Sequence, residues 1–209
     1  MDLVQMIGSY LASDIRMATP ILLAGLGLLL INRAGLLNIG AEGTMLIATL
    51  IAVVGSFFLG NVWLGLLCAM IAGALIGGLF ALLTVTLRAN QTVVGAAINV
   101  LGSGLSATLY RIIFGVATNN APIDTFDVLA IPLVKDIPIL GEAFFQQKPI
   151  VYIAFLMVPL VSYYLFRTQS GLNLRSVGEN PKVADTLGIN VARTQYTACL
   201  LYTSPSPRD

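Results

Sequence analysis

Residues 44–87 carry no charged side chain. A helix crossing the hydrocarbon of a bilayer needs about 20 apolar residues, so this one run holds two spans and commits the chain to a membrane. Composition agrees. Mean hydropathy is +0.88, 57% of residues are hydrophobic and only 10% are charged, which excludes an ordinary soluble domain. A net charge of +1 without a basic patch gives no reason to expect nucleic acid as a partner. Cys68 and Cys199 form neither a disulfide framework nor a metal-ligand spacing. Histidine, the commonest proton shuttle and metal ligand, is absent. The chain opens Met-Asp, without the basic region or small-residue cleavage site of a signal peptide, so insertion is expected to be directed by the spans themselves.

The apolar runs predict an all-α integral membrane protein, a polytopic bundle of about five spans. Residues 3–15 are amphipathic, with Leu3, Ile7, Leu11 and Ile15 at helical spacing, and read as an interfacial helix or as the first turns of span one. Residues 17–32 are uncharged but short, with Pro20 near their start, and cross only with help from flanking residues. Further spans are expected over 43–59, 62–86, 92–115 and 149–166, with Gly60-Asn61 as the turn between the second and third. The 116–148 connection is polar and carries Asp124, Asp127, Asp136 and Glu142. Arg33, Arg88, Arg167, Arg175, Lys182 and Arg193 fall on one side of the alternating spans, which the positive-inside rule assigns to the cytoplasm. The acidic connection then faces outward.

Four groups of residues stand out. The polar stretch 167–192 follows the last complete span. Asn180-Pro181 reads as a helix start, because asparagine suits the N-cap and proline lacks an N–H that would be unpaired at the first helical position. Gly188 fits the terminus, giving a short helix over about 182–187 that lies across the membrane face and suits a partner's groove. The alternative is a merely solvated loop. The second group runs from Asn32 through Asn38-Ile39-Gly40-Ala41-Glu42-Gly43, where Glu42 opens a span at the positive end of its helix. It reads either as an ordinary turn with a capping acid or as a broken-helix element at a transport path. In the third, Asn90 and Gln91 open a span along which Asn99, Ser103, Ser106 and Tyr110 recur at helical spacing. This polar stripe should face other helices or an aqueous path, where amides and hydroxyls suit a neutral polar solute or serve as interhelical hydrogen bonds. The fourth, Ala69, Gly73, Gly77 and Ala81, is a small-residue stripe for close helix packing.

No phosphate loop of the form G-x-x-x-x-G-K-[ST] is present, nor H-E-x-x-H or G-x-S-x-G, so no ATP hydrolysis or other catalysis is expected of this chain and no cofactor is assigned to it. Residues 199–209 break in composition from what precedes them and resemble the translation of a transposase-type sequencing-library adapter; a short disordered tail is the alternative. The expected division is therefore residues 1–198 as the N-terminal part of a transmembrane domain and 199–209 as a non-native tail.

Three of these segments, in this order, carry a resemblance: Asn38-Ile39-Gly40-Ala41-Glu42-Gly43, the span opened by Asn90, and Gly171-Leu172-Asn173-Leu174-Arg175-Ser176-Val177-Gly178-Glu179-Asn180-Pro181 with Gly188. Together they resemble bacterial ABC permeases of the branched-chain amino acid/simple-sugar superfamily over residues 19–191, closest to the general nucleoside-uptake permeases. Ribose-type permeases typically carry a Gly-Ile-Asp-Leu-Ser-Val-Gly-type sequence in place of Asn38–Gly43, which favours nucleosides over simple sugars. The resemblance implies a second, related permease subunit, a cytoplasmic ATPase that binds the ATP, and an extracytoplasmic solute-binding lipoprotein. It maps a coupling helix and ATPase contact onto Gly171, Arg175, Gly178, Glu179, Asn180, Pro181, Asp185 and Gly188. The substrate path falls near Asn38, Glu42, Asn90, Gln91, Asn99, Ser103 and Ser106. Relatives have several further spans. An ion-coupled carrier is the competing class, but it calls for intramembrane carboxylates, and this chain offers only Glu42 at a span edge.

Overall fold

The structure is a computed structural model that describes residues 3–115, 129–130 and 146–201. Among these, 5 helices are long and apolar enough to cross a membrane. Helix α1 covers Leu3–Arg33, α2 Ala41–Leu59 and α3 Val62–Ala81, the last continuing directly into a π-helical turn, Leu82–Thr86. Helix α4 covers Gln91–Phe114. A two-residue antiparallel ladder follows, β1 (Leu129–Ala130) on β2 (Gln146–Gln147), with Leu129 opposite Gln147. Helices α5 (Pro149–Arg167), α6 (Gln169–Glu179), α7 (Pro181–Thr186) and α8 (Val191–Leu201) complete the described chain. The four acidic residues of the 116–148 connection lie outside the described residues.

Residues 3–15 do not form a separate interfacial helix. They are the first turns of α1, which runs unbroken for 31 residues with Pro20 inside it. At a rise of about 1.5 Å per residue α1 is about 46 Å long, against a hydrocarbon core of about 30 Å, so its outer turns extend past the bilayer's apolar layer. Gln147 fixes its height relative to α5. The Gln147 side chain is fully buried; its Oε1 accepts from Arg16 Nε (3.0 Å) and its Nε2 donates to the Ala12 carbonyl (3.2 Å).

In lipid, helix association depends on close packing and hydrogen bonding, because the surrounding acyl chains are as apolar as the helices. The α2–α3 hairpin shows how this chain achieves it. Its turn is the expected Gly60-Asn61 pair: Gly60 has φ 60, and the Asn61 side chain accepts from Trp63 N–H (2.9 Å) to cap α3. Below the turn, a Cβ on Gly65 would stand 2.6 Å from the Ala52 carbonyl oxygen and 2.9 Å from the Ser56 nitrogen, so the backbones touch without intervening side chains. The stripe Ala69, Gly73, Gly77 and Ala81 is buried throughout. At Gly77 it receives the backbone of α8, with the Cys199 carbonyl 2.5 Å from where a Cβ would be.

Two hydrophobic clusters meet at the inner end of α1. Ile31 and Leu36 pack with Phe80, Ala81, Val94, Ile98 and Cys199; Leu30 and Ala34 pack with Val161, Leu165, Leu174 and Ala198. Helix α8 contributes to both and runs unbroken through the Ala198–Cys199 junction to Leu201. The stretch 167–192, expected to hold one short helix, holds two and the start of a third. Helix α6 was hidden by its polar composition, yet it buries Gly171, Leu174 and Val177 on one face.

Replacing Gly65 with alanine should wedge α2 from α3 and cost about 1–3 kcal/mol, the usual range for overpacking. Gly25→Ala, on an α1 position with nothing within 4 Å of a new Cβ, should leave stability unchanged or raise it. Thermal unfolding of the detergent-solubilised protein reads both; equal melting temperatures for the two variants would refute the backbone-contact account.

Candidate functional site

The connection between α1 and α2 is the irregular backbone of the inner end, and its polar groups can be traced one by one. Gly35, at φ 77, ends α1: its N–H donates to the Asn32 carbonyl (3.1 Å) and Leu36 N–H reaches back to Ile31 (3.2 Å). This paired arrangement is the Schellman ending, for which glycine is favoured. Leu37 N–H donates to Gln91 Oε1 (2.8 Å), and Gly40 N–H donates to the side chain of buried Asn38 (2.9 Å). Gly43 N–H, in the first turn of α2, donates to Asn99 Oδ1 (2.7 Å), while Asn99 Nδ2 donates to the Ile39 carbonyl (3.0 Å). Each bond answers a backbone group that a helix would have paired internally.

Helix α4 lies against this connection through glycines. A Cβ on Gly95 would stand 2.9 Å from the Gly40 nitrogen, and one on Gly102 would stand 2.5 Å from the Gly43 carbonyl oxygen. Val94, Gly95, Ile98 and Gly102 form the buried face of α4, with Asn99 at its edge. The polar stripe therefore divides. Asn99 turns toward α2, Ser103 is exposed with its hydroxyl donating to the Val100 carbonyl (3.0 Å), and Ser106 is half-buried. Tyr110 stacks on Phe114 at 5.0 Å, and Phe114 meets Phe57 edge-on at 5.3 Å. Asn90 caps α4 by accepting from Thr92 N–H (3.0 Å). Of the residues expected along a solute path, Asn38, Asn90, Gln91 and Asn99 thus bond to backbone, and Glu42 and Ser103 present exposed polar groups. Among the described residues no three of Cys, Asp and Glu gather as metal ligands.

The second candidate surface lies at the same end. Thr168 caps α6 by accepting from Gly171 N–H (3.1 Å), a cap the sequence reading missed. Asn180 caps α7 as expected, accepting from Val183 N–H (3.2 Å) with Pro181 in the first turn. Helix α7 spans Pro181–Thr186, one residue earlier than read from sequence, and ends at Gly188 with φ 80, where Ile189 N–H reaches the Ala184 carbonyl (3.1 Å). Glu179, Pro181, Lys182 and Asp185 are exposed; Ala184 alone of α7 is buried. The Arg175 guanidinium lies over the Phe166 ring at 5.0 Å, and its buried Nε has no hydrogen-bond partner among the described residues.

The two surfaces touch at one point. A Cβ on Gly178 would overlap the Arg33 carbonyl and stand 3.1 Å from Gly35 N, so α6 sits directly on the end of α1. Sequence reasoning placed Gly178 in a partner contact and overlooked Gly35, Gly95 and Gly102, whose signal was glycine in otherwise helical or near-helical sequence. Replacing Asn99 with leucine should leave two backbone groups without partners and cost about 1–3 kcal/mol for each one that stays buried. Ser103→Ala should cost little. Denaturation of both variants checks this, with faster hydrogen exchange at Gly43 expected only in the first.

Known proteins place these elements in a lineage. The chain is 37% identical over 208 residues to the guanosine ABC transporter permease protein NupQ of Bacillus subtilis, covering 96% of this chain and 65% of that one. It is 36% identical over 195 residues to the putative glucose ABC transporter permease protein TsgC13 of Haloferax volcanii, covering 91% and 58%. Against the nucleoside ABC transporter permease protein NupC of Lactococcus lactis it is 35% identical over 210 residues, covering 96% and 65%. The chain thus spans less than two thirds of the length of these relatives. No solved structure matches it. Residues 10–203 match the family described as branched-chain amino acid transport system / permease component. Five membrane-length helices and that match agree: the chain is a multi-pass membrane protein and belongs to this permease family.

Proposed function

We propose that this chain is a membrane-spanning permease subunit of an ATP-driven importer that carries nucleosides across the cytoplasmic membrane. The structural observation behind the reading is α7. A helix of 6 residues, capped at both ends, follows α6, which sits on the end of α1; it is exposed everywhere but at Ala184 and projects from the inner end. Such a projection suits a partner that pushes on it. The sequence carries no phosphate loop, so the energy enters through a separate ATPase, which binds the ATP. Gly171, Arg175, Gly178, Glu179, Asn180, Pro181, Asp185 and Gly188 shape the coupling surface, with Glu179 and Asp185 as exposed contacts and the glycines as the turns and touching points. A related second permease and an extracytoplasmic solute-binding lipoprotein complete the assembly.

Nucleosides are the substrate the relatives' names favour, guanosine and nucleosides in two of the three compared above. The glucose permease name supports simple sugars as the second reading. In either case Glu42 and Ser103 offer the solute exposed hydrogen-bonding groups, while Asn99 and Gln91 hold the wall behind them. Cells bearing this permease with its ATPase should take up labelled guanosine, unlabelled glucose should not compete, and ATP depletion should stop uptake. Uptake that survives ATP depletion and follows an ion gradient would assign the chain to the secondary carriers. Glu179→Ala and Asp185→Ala should each reduce co-purification of the ATPase several-fold with membrane insertion intact. Unchanged co-purification with both removes α7 and its flank from the coupling role.

A further inference from the structure

Among the described residues, positive φ occurs at Gly35, Gly60, Gly115, Gly188 and one non-glycine, Arg88, at φ 53. Arg88 ends α3 and its π-helical turn. Leu87 N–H donates to the Leu82 carbonyl (3.1 Å) and Ala89 N–H to the Leu83 carbonyl (2.9 Å). Ala89 N–H thus reaches back past a left-handed residue, as Leu36 and Ile189 do after Gly35 and Gly188, and one residue farther. A side chain at this position incurs a backbone cost that glycine would not. The fold would be better served by glycine, so the arginine side chain must serve something else.

That side chain lines an open recess of about 680 Å³ between the end of the π turn and α7. Val85 and Arg88 line it from the end of the π turn, and Pro181, Lys182, Asp185 and Asn190 line it from α7 and the connection after it. Arg88 and Lys182 are both exposed and neither forms an ion pair with a described residue. Two cations against one carboxylate leave the recess net positive. Leu82 and Leu87, close in sequence to Val85 and Arg88, are exposed and apolar. A cationic recess at the end of a membrane-length helix, on the arginine- and lysine-rich side of the bundle, fits the charged head of an amphiphile whose tails lie in the bilayer.

We propose that this recess binds the phosphate of an anionic phospholipid headgroup. The planar Arg88 guanidinium can engage two phosphate oxygens and Lys182 supplies a second point charge. Asp185 and Asn190 are then acceptors for headgroup hydroxyls, and the net positive charge of the recess favours an anionic glycerol-type headgroup over zwitterionic choline. The site is independent of the substrate carried, and it shares α7 and Asp185 with the coupling surface proposed above.

The test uses the whole purified chain in nanodiscs of phosphatidylglycerol and phosphatidylcholine, followed by native mass spectrometry of the lipids retained on release. The wild type should retain phosphatidylglycerol in preference to phosphatidylcholine. Arg88→Gly and Lys182→Gln should each reduce that retention about fivefold, the effect of one cation at an anionic surface. Arg88→Lys should preserve most of it. Because glycine suits the backbone, Arg88→Gly should melt no lower than wild type in lipid-free detergent, which separates lost binding from lost folding. Undiminished phosphatidylglycerol retention by folded Arg88→Gly overturns the proposal, as does a lowered melting temperature of that variant. Stabilisation of the wild type by inorganic phosphate alone, with no gain from phosphatidylglycerol vesicles, overturns it in favour of a free anion. Loss of ATPase co-purification at unchanged lipid retention makes the recess a protein contact and equally overturns it.

Discussion

Buried backbone polar groups need partners, and the seven residues between α1 and α2, at the inner end of the bundle, give up the helix that would have supplied them. Much of the inner end of the bundle is arranged around this break. Asn38 bonds within it, Gln91 and Asn99 reach it from α4, and Gln195 Nε2 reaches the Ala34 carbonyl from α8 at 3.5 Å. These bonds need α4 and α8 close, and the closeness comes from Gly40, Gly43, Gly95 and Gly102 on one side and from Gly77 against Cys199 on the other.

The same break connects the two candidate surfaces mechanically. Gly178 on α6 bears on Arg33 and Gly35, at the start of the connection; Gly95 and Asn99 bear on Gly40 and Gly43, at its end. Backbone-to-backbone contacts have no side-chain rotamers to absorb a displacement. A shift of α6 of the kind a partner at α7 would impose therefore has a stiff route to the first turn of α2 and the wall of α4. Apart from the Asn99 amide, the route runs from backbone to backbone.

Much of this was legible in the sequence, and the failures have physical causes. Asn180-Pro181 and Gly188 marked α7 to within a residue, because caps and left-handed endings are local chemistry. Gly60-Asn61 marked the hairpin turn for the same reason. Helix α6 escaped because its composition is polar, and Gly171 and Gly178, assigned from the resemblance to a partner contact, touch α5 and the end of α1. The stripe from Asn99 to Tyr110 was visible as spacing, but spacing gives a face and not what lies opposite it. Only the packed structure shows that Asn99 is spent on α2 while Ser103 points away. Arg88 could not be anticipated at all, since nothing local in its sequence announces a left-handed backbone.

The tie between Gln147 and α1 bears on how deep the bundle sits. Helix α5, with 19 residues, is about 28 Å long and just matches the hydrocarbon layer, so its start marks the outer boundary of that layer. Gln147 holds Arg16 and Ala12 level with that start, which leaves the turns bearing Met6, Ile7, Tyr10 and Leu11 standing among the headgroups. Of these, Tyr10, whose ring is apolar and whose hydroxyl is polar, suits that zone. The overlong first helix thus acts as a float, fixing the vertical position of the protein in the bilayer and keeping the inner end, with its arginines and its projecting α7, at the opposite surface.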